Sequence, residues 1–269
     1  MAAVTGVVVG VVIDVADPEG QGRVRLRYPW LAEDGAQSSW TPIVRPMAGR
    51  GRGFFYMPEV DDEALVAFEH GDVNHPMVLG FLHNGVDTPP DDGIDEHVRR
   101  LRSVAGHDVE LDDRAGKEGV RVRTHGGHQL ELHDPDGRVE LTTSGGQRLR
   151  MTDQPGQVQV ATATGTTVTL DATPSAITLT TTAGVSVTIS DTGGVSISAP
   201  TGSVSVSSLS AQVAAAATAQ VTASALTLTA PVVSVNAAMA TFSGVVACQT
   251  LMATSVVSAA YTPGVGNIL

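Results

Sequence analysis

The chain has 269 residues, of which 42% are hydrophobic, 16% charged and only 4% aromatic. That apolar share excludes wholesale disorder, and the scarcity of rings implies a core of small and β-branched side chains, which favour strands. The net charge of −12 argues against a nucleic-acid partner, which draws on Lys and Arg, and the single cysteine, Cys248, excludes an intrachain disulfide framework or a Cys-based zinc site.

The first fifteen residues are apolar but lack basic residues ahead of the run and a cleavage site, and Asp14 follows directly, so they read as a first strand and not as a leader. Strand candidates then follow at Val7–Val9, Val11–Ile13, Val24–Tyr28, Ala64–Phe68 and Met77–Phe81, separated by turn signals at Asp17–Gly20, Gly49–Gly53 and Asn74–Pro76. Five short strands in about 80 residues suit a small Greek-key barrel of the OB type. The expected division is an OB-fold domain at 1–85, a linker at 86–103, a repetitive shaft at 104–260 and a tip or cap segment at 261–269.

The shaft is marked by a change in composition. The last basic residue is Arg150, and residues 151–269 carry only Asp153, Asp171 and Asp191 as charged side chains. A solvated single-chain domain with so little charge invites precipitation, so this surface is either covered by other chains or coated with Ser and Thr hydroxyls. The segment Gly127-His-Gln-Leu-Glu-Leu-His-Asp134 aligns with segments starting at Gly146, Gly165 and Gly184, offsets of 146−127, 165−146 and 184−165, each 19 residues. A second series at the same period starts at Arg138, Gln157, Ala176 and Val195, so each unit holds two short strands and two turns. Apolar and polar residues alternate within the strands, as at Leu130/Leu132, Val168/Leu170 and Ile177/Leu179. Turn chemistry separates them at Asp136-Gly137, Pro155-Gly156, Pro174 and Gly193-Gly194.

Strands this short have too little apolar face to stand alone. A single-chain parallel solenoid could close the core with its own coils; three chains wound around one another would close it symmetrically and leave no lateral edge. The two-strand period favours the second, and stacking at about 4.8 Å per strand gives a needle of roughly 75 Å. The small side chains at Ala214–Ala217 and Val221–Ala225 should narrow it. The Ala-rich stretch from Gln212 to Val233 is interrupted by polar residues and Pro231, against a membrane span. The fold expected is therefore all-β: an N-terminal OB-fold barrel followed by an intertwined trimeric β-helix needle.

The motifs Asp17-Pro18, Gly22-Arg-Val-Arg-Leu-Arg-Tyr-Pro-Trp30, Ser39-Trp40, Ala48-Gly49, Gly53-Phe54, Met57-Pro-Glu-Val-Asp-Asp-Glu63, Phe68-Glu-His-Gly-Asp72 and His75-Pro-Met-Val-Leu-Gly80 together resemble the OB-fold domain of phage baseplate spikes and of the VgrG spikes of type VI secretion systems. In that family Gly is common where Asp61 or Asp62 stands. The resemblance implies a homotrimeric, membrane-puncturing central spike of a contractile injection system. Such a spike would be assembled in the bacterial cytoplasm as part of a phage tail-like particle, then delivered outward or released on contraction. Because the sequence starts at the OB unit, the expected organisation is that of a baseplate assembly protein V or an extracellular contractile injection spike, with the hub as a separate protein. At the other end Tyr261, Thr262, Pro263, Gly264, Val265 and Asn267 depart from the repeat; they form a platform for a small PAAR-like tip protein, cap the open end, or fray.

Chemistry is sparse. Thr124-His-Gly-Gly-His128 with His133 is the best metal candidate, yet these positions read as turn and solvent-facing strand residues. Glu59, Asp61, Asp62 and Glu63 read as a solvated turn, and Ser39, His70 and Asp72 lack the Gly-x-Ser-x-Gly elbow of a hydrolase. Arg50-Gly-Arg-Gly53 is too short for a phosphate loop and reads as a flexible one. No cofactor and no catalytic residue is expected. The competing reading is a trimeric β-helix fibre or adhesin that binds carbohydrate, though residues 151–269 hold only Phe242 and Tyr261 as aromatics.

Overall fold

The computed structural model describes residues 4–31, 36–90 and 95–259. It is built of strands, with one 3-10 turn at Glu69–Gly71. Among the described residues no helix is long and apolar enough to cross a membrane. The chain divides into two compact units, Met1–Ser205 and Val206–Leu269.

The first sheet is formed by β1 (Val7–Asp14), β2 (Arg25–Tyr28) and β3 (Ala36–Gln37), with a separate two-stranded hairpin of β4 (Ala48–Gly49) and β5 (Arg52–Gly53), then β6 (Glu63–Phe68) and β7 (Pro76–Phe81). Its order is β3-β2-β1-β6-β7, antiparallel throughout. Two of the expected strands are one: β1 runs unbroken through Gly10, where the missing side chain leaves room for the Tyr28 ring. The sheet closes through an irregular segment that periodicity does not reveal. Ser38 N–H donates to the Leu26 carbonyl at 2.8 Å, Thr41 bridges Val24, and Ile43 bridges Val78 in the parallel sense. Val78 N–H donates to the Pro42 carbonyl and its own carbonyl accepts from Val44, at 2.9 and 2.8 Å. Register shifts at Val12/Asp14 and Leu65/Val66 bend the long strands, as closure of a small barrel requires.

Alternate residues fill the barrel: Val12, Val24, Leu26, Tyr28, Ala64, Val66, Phe68 and Val78 are buried together. The turn after β1 is held by Asp17, whose carboxylate accepts from the backbone N–H groups of Glu19, Gln21 and Arg23 and from the Arg23 guanidinium at 2.7 Å. The Arg23 guanidinium, first among these donors and against the cost of burial, holds Asp17 well below the usual carboxylate range. Asp61, one of the two positions where a Gly was expected to be common, has φ of +80°, a conformation that any Cβ strains. Arg50-Gly51 is the tip of the tight β4–β5 hairpin, with Phe54 N–H donating to the Met47 carbonyl at 3.0 Å, where a flexible loop was expected.

The second sheet is a continuous antiparallel meander of β8 (Val98–Arg102), β9 (Asp108–Asp112), β10 (Gly119–Arg123), β11 (Gln129–His133), β12 (Arg138–Thr142), β13 (Arg148–Thr152), β14 (Gln157–Ala161), β15 (Thr167–Ala172), β16 (Ser175–Thr180), β17 (Ser186–Ser190) and β18 (Val195–Ser198). β8 lies within the stretch expected as linker. The 19-residue period is visible in the turns. Thr124, Thr143, Thr162 and Thr181 each accept from Gly127, Gly146, Gly165 and Gly184 in turn, and all four glycines have φ between +77° and +93°. Along this stretch every strand pairs with its neighbour in the same chain. In the second unit no strand occurs among the described residues, although the repetitive pattern was expected to run to Ala260.

The Tyr28 side chain packs between Trp30 and Phe68, and its hydroxyl is buried with no partner in good hydrogen-bond geometry; burial pushes the phenol up to about 12, opposed by the neighbouring Ser38 hydroxyl. An unpaired buried hydroxyl costs roughly 1–3 kcal/mol. Tyr28→Phe is therefore expected to keep the barrel and raise stability by about 1 kcal/mol, read as a higher urea midpoint; a clear loss would place a partner on that oxygen.

Candidate assembly surface

The meander puts each strand's alternate residues in register with those of the next, so that columns run across the sheet. On one face lie two apolar columns. The first is Leu101, Val109, Val122, Leu130, Leu141, Leu149, Val160, Val168, Leu179, Val187 and Ile197. The second starts at Arg99 and continues Leu111, Val120, Leu132, Val139, Met151, Val158, Leu170, Ile177, Ile189 and Val195 by the same register. Nothing among the described residues covers them: Leu141 is 47% exposed and Val160 51%. An exposed apolar surface of this extent marks an interaction site.

The opposite face is polar, and its central column changes character along the sheet. It begins Arg100, Glu110, Arg121, Glu131, Glu140, Arg150, then becomes Gln159, Thr169, Thr178, Thr188 and Ser196. The charged part is an ion-pair ladder. Glu110 accepts from Arg100 on one side and from Arg121 at 2.6 Å on the other, and Arg121 reaches Glu131 at 3.2 Å. Glu131 and Glu140 stand directly opposite one another, a like-charge pair that repels. Arg138 offsets this by lying 3.2 Å from one and 3.4 Å from the other. Burial pushes Glu131 upward, but Arg121 and Arg138 together outweigh it and leave the carboxyl below its ordinary value. The Arg114 guanidinium, opposed by burial, holds Asp112 lower still.

The residues weighed for chemistry are dispersed. His125 and His128 lie in the turn before β11; His125 N–H donates to His107, and His128 Nδ1 accepts from Ser144 N–H, both at 3.2 Å. His133 is on the polar face, 3.1 Å from Asp136. Among the described residues no group of three or more His, Cys, Asp or Glu is placed to hold a metal ion. Asp72 is engaged by Asn74 and by His75 at 3.0 Å rather than by His70, and Asp62 accepts from Glu59 N–H, closing its turn. The tip-platform residues Tyr261, Thr262, Pro263, Gly264, Val265 and Asn267 lie outside the described residues. One feature the sequence did not single out is an exposed cluster of Met47, Phe54, Phe55 and Tyr56 beside β4 and β5, with the Arg45 guanidinium 4.5 Å from the centre of the Phe55 ring.

Two predictions follow from the two faces. Ile177→Asp, in the second apolar column, is expected to abolish assembly in light scattering, whereas Thr178→Asp on the polar face leaves the mass unchanged. For pH, the depressed carboxyls of Asp112 and Glu131 stabilise the sheet fully above their unfolded values of about 4, and that contribution disappears as pH falls through the lower folded ones. The urea midpoint should thus be flat from about pH 9 to 6 and decline below about pH 4, with Asp112→Asn showing a smaller decline.

Residues 8–83 match the family described as the type VI secretion system/phage-baseplate injector OB domain. Among curated proteins the chain is similar to the actin cross-linking toxin VgrG1 of Vibrio cholerae, 31% identical over 39% of this chain and 11% of the toxin. It is also similar to two type VI secretion system spike proteins of Pseudomonas aeruginosa. These are VgrG4b, 31% identical over 36% of this chain and 13% of the relative, and VgrG1a, 25% identical over 42% and 20%. The chain thus spans between a tenth and a fifth of the length of these relatives. Residues 8–83 are thus similar to the injector OB domain of type VI secretion systems and phage baseplates, and the chain is similar over about two fifths of its length to type VI secretion system spike proteins.

Proposed function

We propose that the chain is the structural central spike at the baseplate of a contractile injection system, either type VI-like or a phage tail-like particle. The observation that carries this is the pair of uncovered apolar columns on a sheet that follows an injector OB domain. Each Val, Leu or Ile buried contributes about 1.5–3 kcal/mol, and a second and third copy of the same face supply the cover. Three sheets arranged around an axis turn their apolar faces inward and their ion pairs and hydroxyls to water.

The function that follows is mechanical. A stiff trimer concentrates the thrust of a contracting sheath on a narrow point and opens the target membrane, with no bond made or broken. The OB end engages a separate hub or baseplate protein, and the C-terminal end carries a PAAR-like tip protein. The particle is assembled in the bacterial cytoplasm and acts outward on contraction. Net charge of −12 per chain, −36 for three, keeps finished trimers apart.

Light scattering of the full chain tests the reading directly. The expected mass is three times 27.7 kDa, and a stable, cooperatively folding 27.7 kDa species would sink it.

A further inference from the structure

The central polar column of the second sheet pairs its arginines with carboxylates, whereas the hairpin of β4 and β5 carries arginines that have no such partner. Between Asp34 and Glu59 the sequence holds Arg45, Arg50 and Arg52 and no acidic residue. The Arg45 guanidinium donates to the carbonyls of Tyr56 and Gly22, at 2.8 and 3.3 Å, and its charge is left unpaired. Among the described residues the exposed side chains of Arg50 and Arg52 have neither an ion pair nor a hydrogen bond. Arg52 lies over its own hairpin, so close that a Cβ on Gly49 would stand 3.1 Å from its Nε. Three positive charges are thus gathered on one small element of a chain whose net charge is −12.

The same element carries the exposed rings. Phe55 rests on Gly22, where a Cβ would come within 2.7 Å of the ring, so glycine is what permits the approach. The ring nonetheless stays 65% exposed, with the Arg45 guanidinium 4.5 Å from its centre. Phe54 and Tyr56, ring centres 6.5 Å apart, and Met47 are exposed beside it. A cavity of about 470 Å³ opens here, lined by Gln21, Arg45, Met47, Arg52, Phe54 and Phe55 among others. Its walls are set before anything binds: Phe54 N–H donates to the Met47 carbonyl at 3.0 Å, and Arg45 ties the segment to Gly22 and Tyr56. A preformed apolar hollow with a few convergent polar groups is the usual form of a recognition site, because little ordering remains to be done on binding.

We propose that this cleft is a docking site for an acidic segment of another protein, which seats an apolar side chain among Met47, Phe54 and Phe55 and sets its carboxylates against Arg50 and Arg52. Charge selects the occupant. Guanidinium groups with free donors pair with carboxylates through two parallel hydrogen bonds, and the ring faces take the apolar anchor. The attraction is local, since charges are screened beyond about 8 Å at physiological salt. A short acidic segment feels the three arginines, whereas a nucleic-acid strand would run on over the acidic remainder of the chain. The concave form suits an inserted side chain better than the surface of a bilayer. A second copy of this chain is called for elsewhere, by the apolar columns of β8–β18, and the carboxylates of Asp17, Asp62 and Asp72 in the OB domain already accept from the N–H groups of their own turns. The site needs no trimer and stands independently of the spike reading.

The test selects a random-peptide display library on the immobilised full chain, with Arg52→Glu as the counter-selection. Enriched peptides are expected to place Asp or Glu beside Leu, Phe or Trp. One of them, synthesised with a fluorescent label, should lose about tenfold in affinity by anisotropy in Arg52→Glu and again in Phe55→Ala. Its binding should also weaken as salt rises from about 0.05 to about 0.5 M. Both side chains are exposed, so the variants keep the parent's urea midpoint and its mass in light scattering. No enrichment over the variant, or enrichment of basic or uncharged peptides, overturns the site. A fall in assembled mass in Arg52→Glu also overturns it and gives the cleft to a second copy. Tighter binding of phosphatidylglycerol vesicles or of oligothymidylate than of the peptide, lost in the same variants, overturns it in favour of a membrane or a nucleic acid.

Discussion

The sheet of β8–β18 is arranged around an apolar face that no described residue of the chain covers. Leu132, Ile177 and their column neighbours stand in the open on a sheet whose other side is already dressed in ion pairs and hydroxyls. The hydrophobic effect leaves two outcomes for such a surface, aggregation or a specific partner, and the regularity of the columns selects a partner with the same regularity. Each strand adds two apolar residues at a fixed register, so in the proposed assembly a copy related by symmetry would meet the same spacing at every level. The barrel of residues 8–83 differs in kind: its core of Val12, Leu26, Tyr28 and Val66 is closed within one chain.

Much of this was legible in the sequence because it rests on short-range rules. The 19-residue period announces itself through Gly127, Gly146, Gly165 and Gly184, each needed where φ is positive. Strict alternation assigns one face apolar and the other polar before any pairing is known. In the barrel the alternating residues of β2 and β6 likewise mark the core. What periodicity could not supply was closure. The segment from Ser38 to Val44 makes isolated bridges around Pro42 with no alternating pattern, and its fit depends on Leu26 and Val78, both distant in sequence. Gly10 misleads for a related reason: it reads as a strand break, but it makes room for Tyr28.

The assembly surface divides in the same way. That the face is apolar follows from composition, whereas the ion-pair ladder does not. Arg138 has Glu131 and Glu140 as partners only because the β11–β12 hairpin sets those carboxylates opposite each other.

Charge is unevenly placed along the polar column of the second sheet. From Arg100 to Arg150 the outer column is held by ion pairs, several of them largely shielded from water, which are rigid but costly to break. Past Arg150 the column turns to Gln159 and then to Thr and Ser, whose hydroxyls can satisfy one another or neighbouring backbone. In the proposed role of a spike driven through a bilayer, this order would matter. A basic or acidic side chain at the centre of the hydrocarbon costs roughly 2.5–3.5 kcal/mol on insertion scales, and three copies multiply each one. A hydroxyl coat lowers that cost without presenting the apolar outer surface on which finished spikes would aggregate. Under that proposed role, charge before Arg150 and its near absence afterwards would suit two opposite demands: ion-paired rigidity in the strands up to Arg150, and a lower desolvation cost in the strands after it.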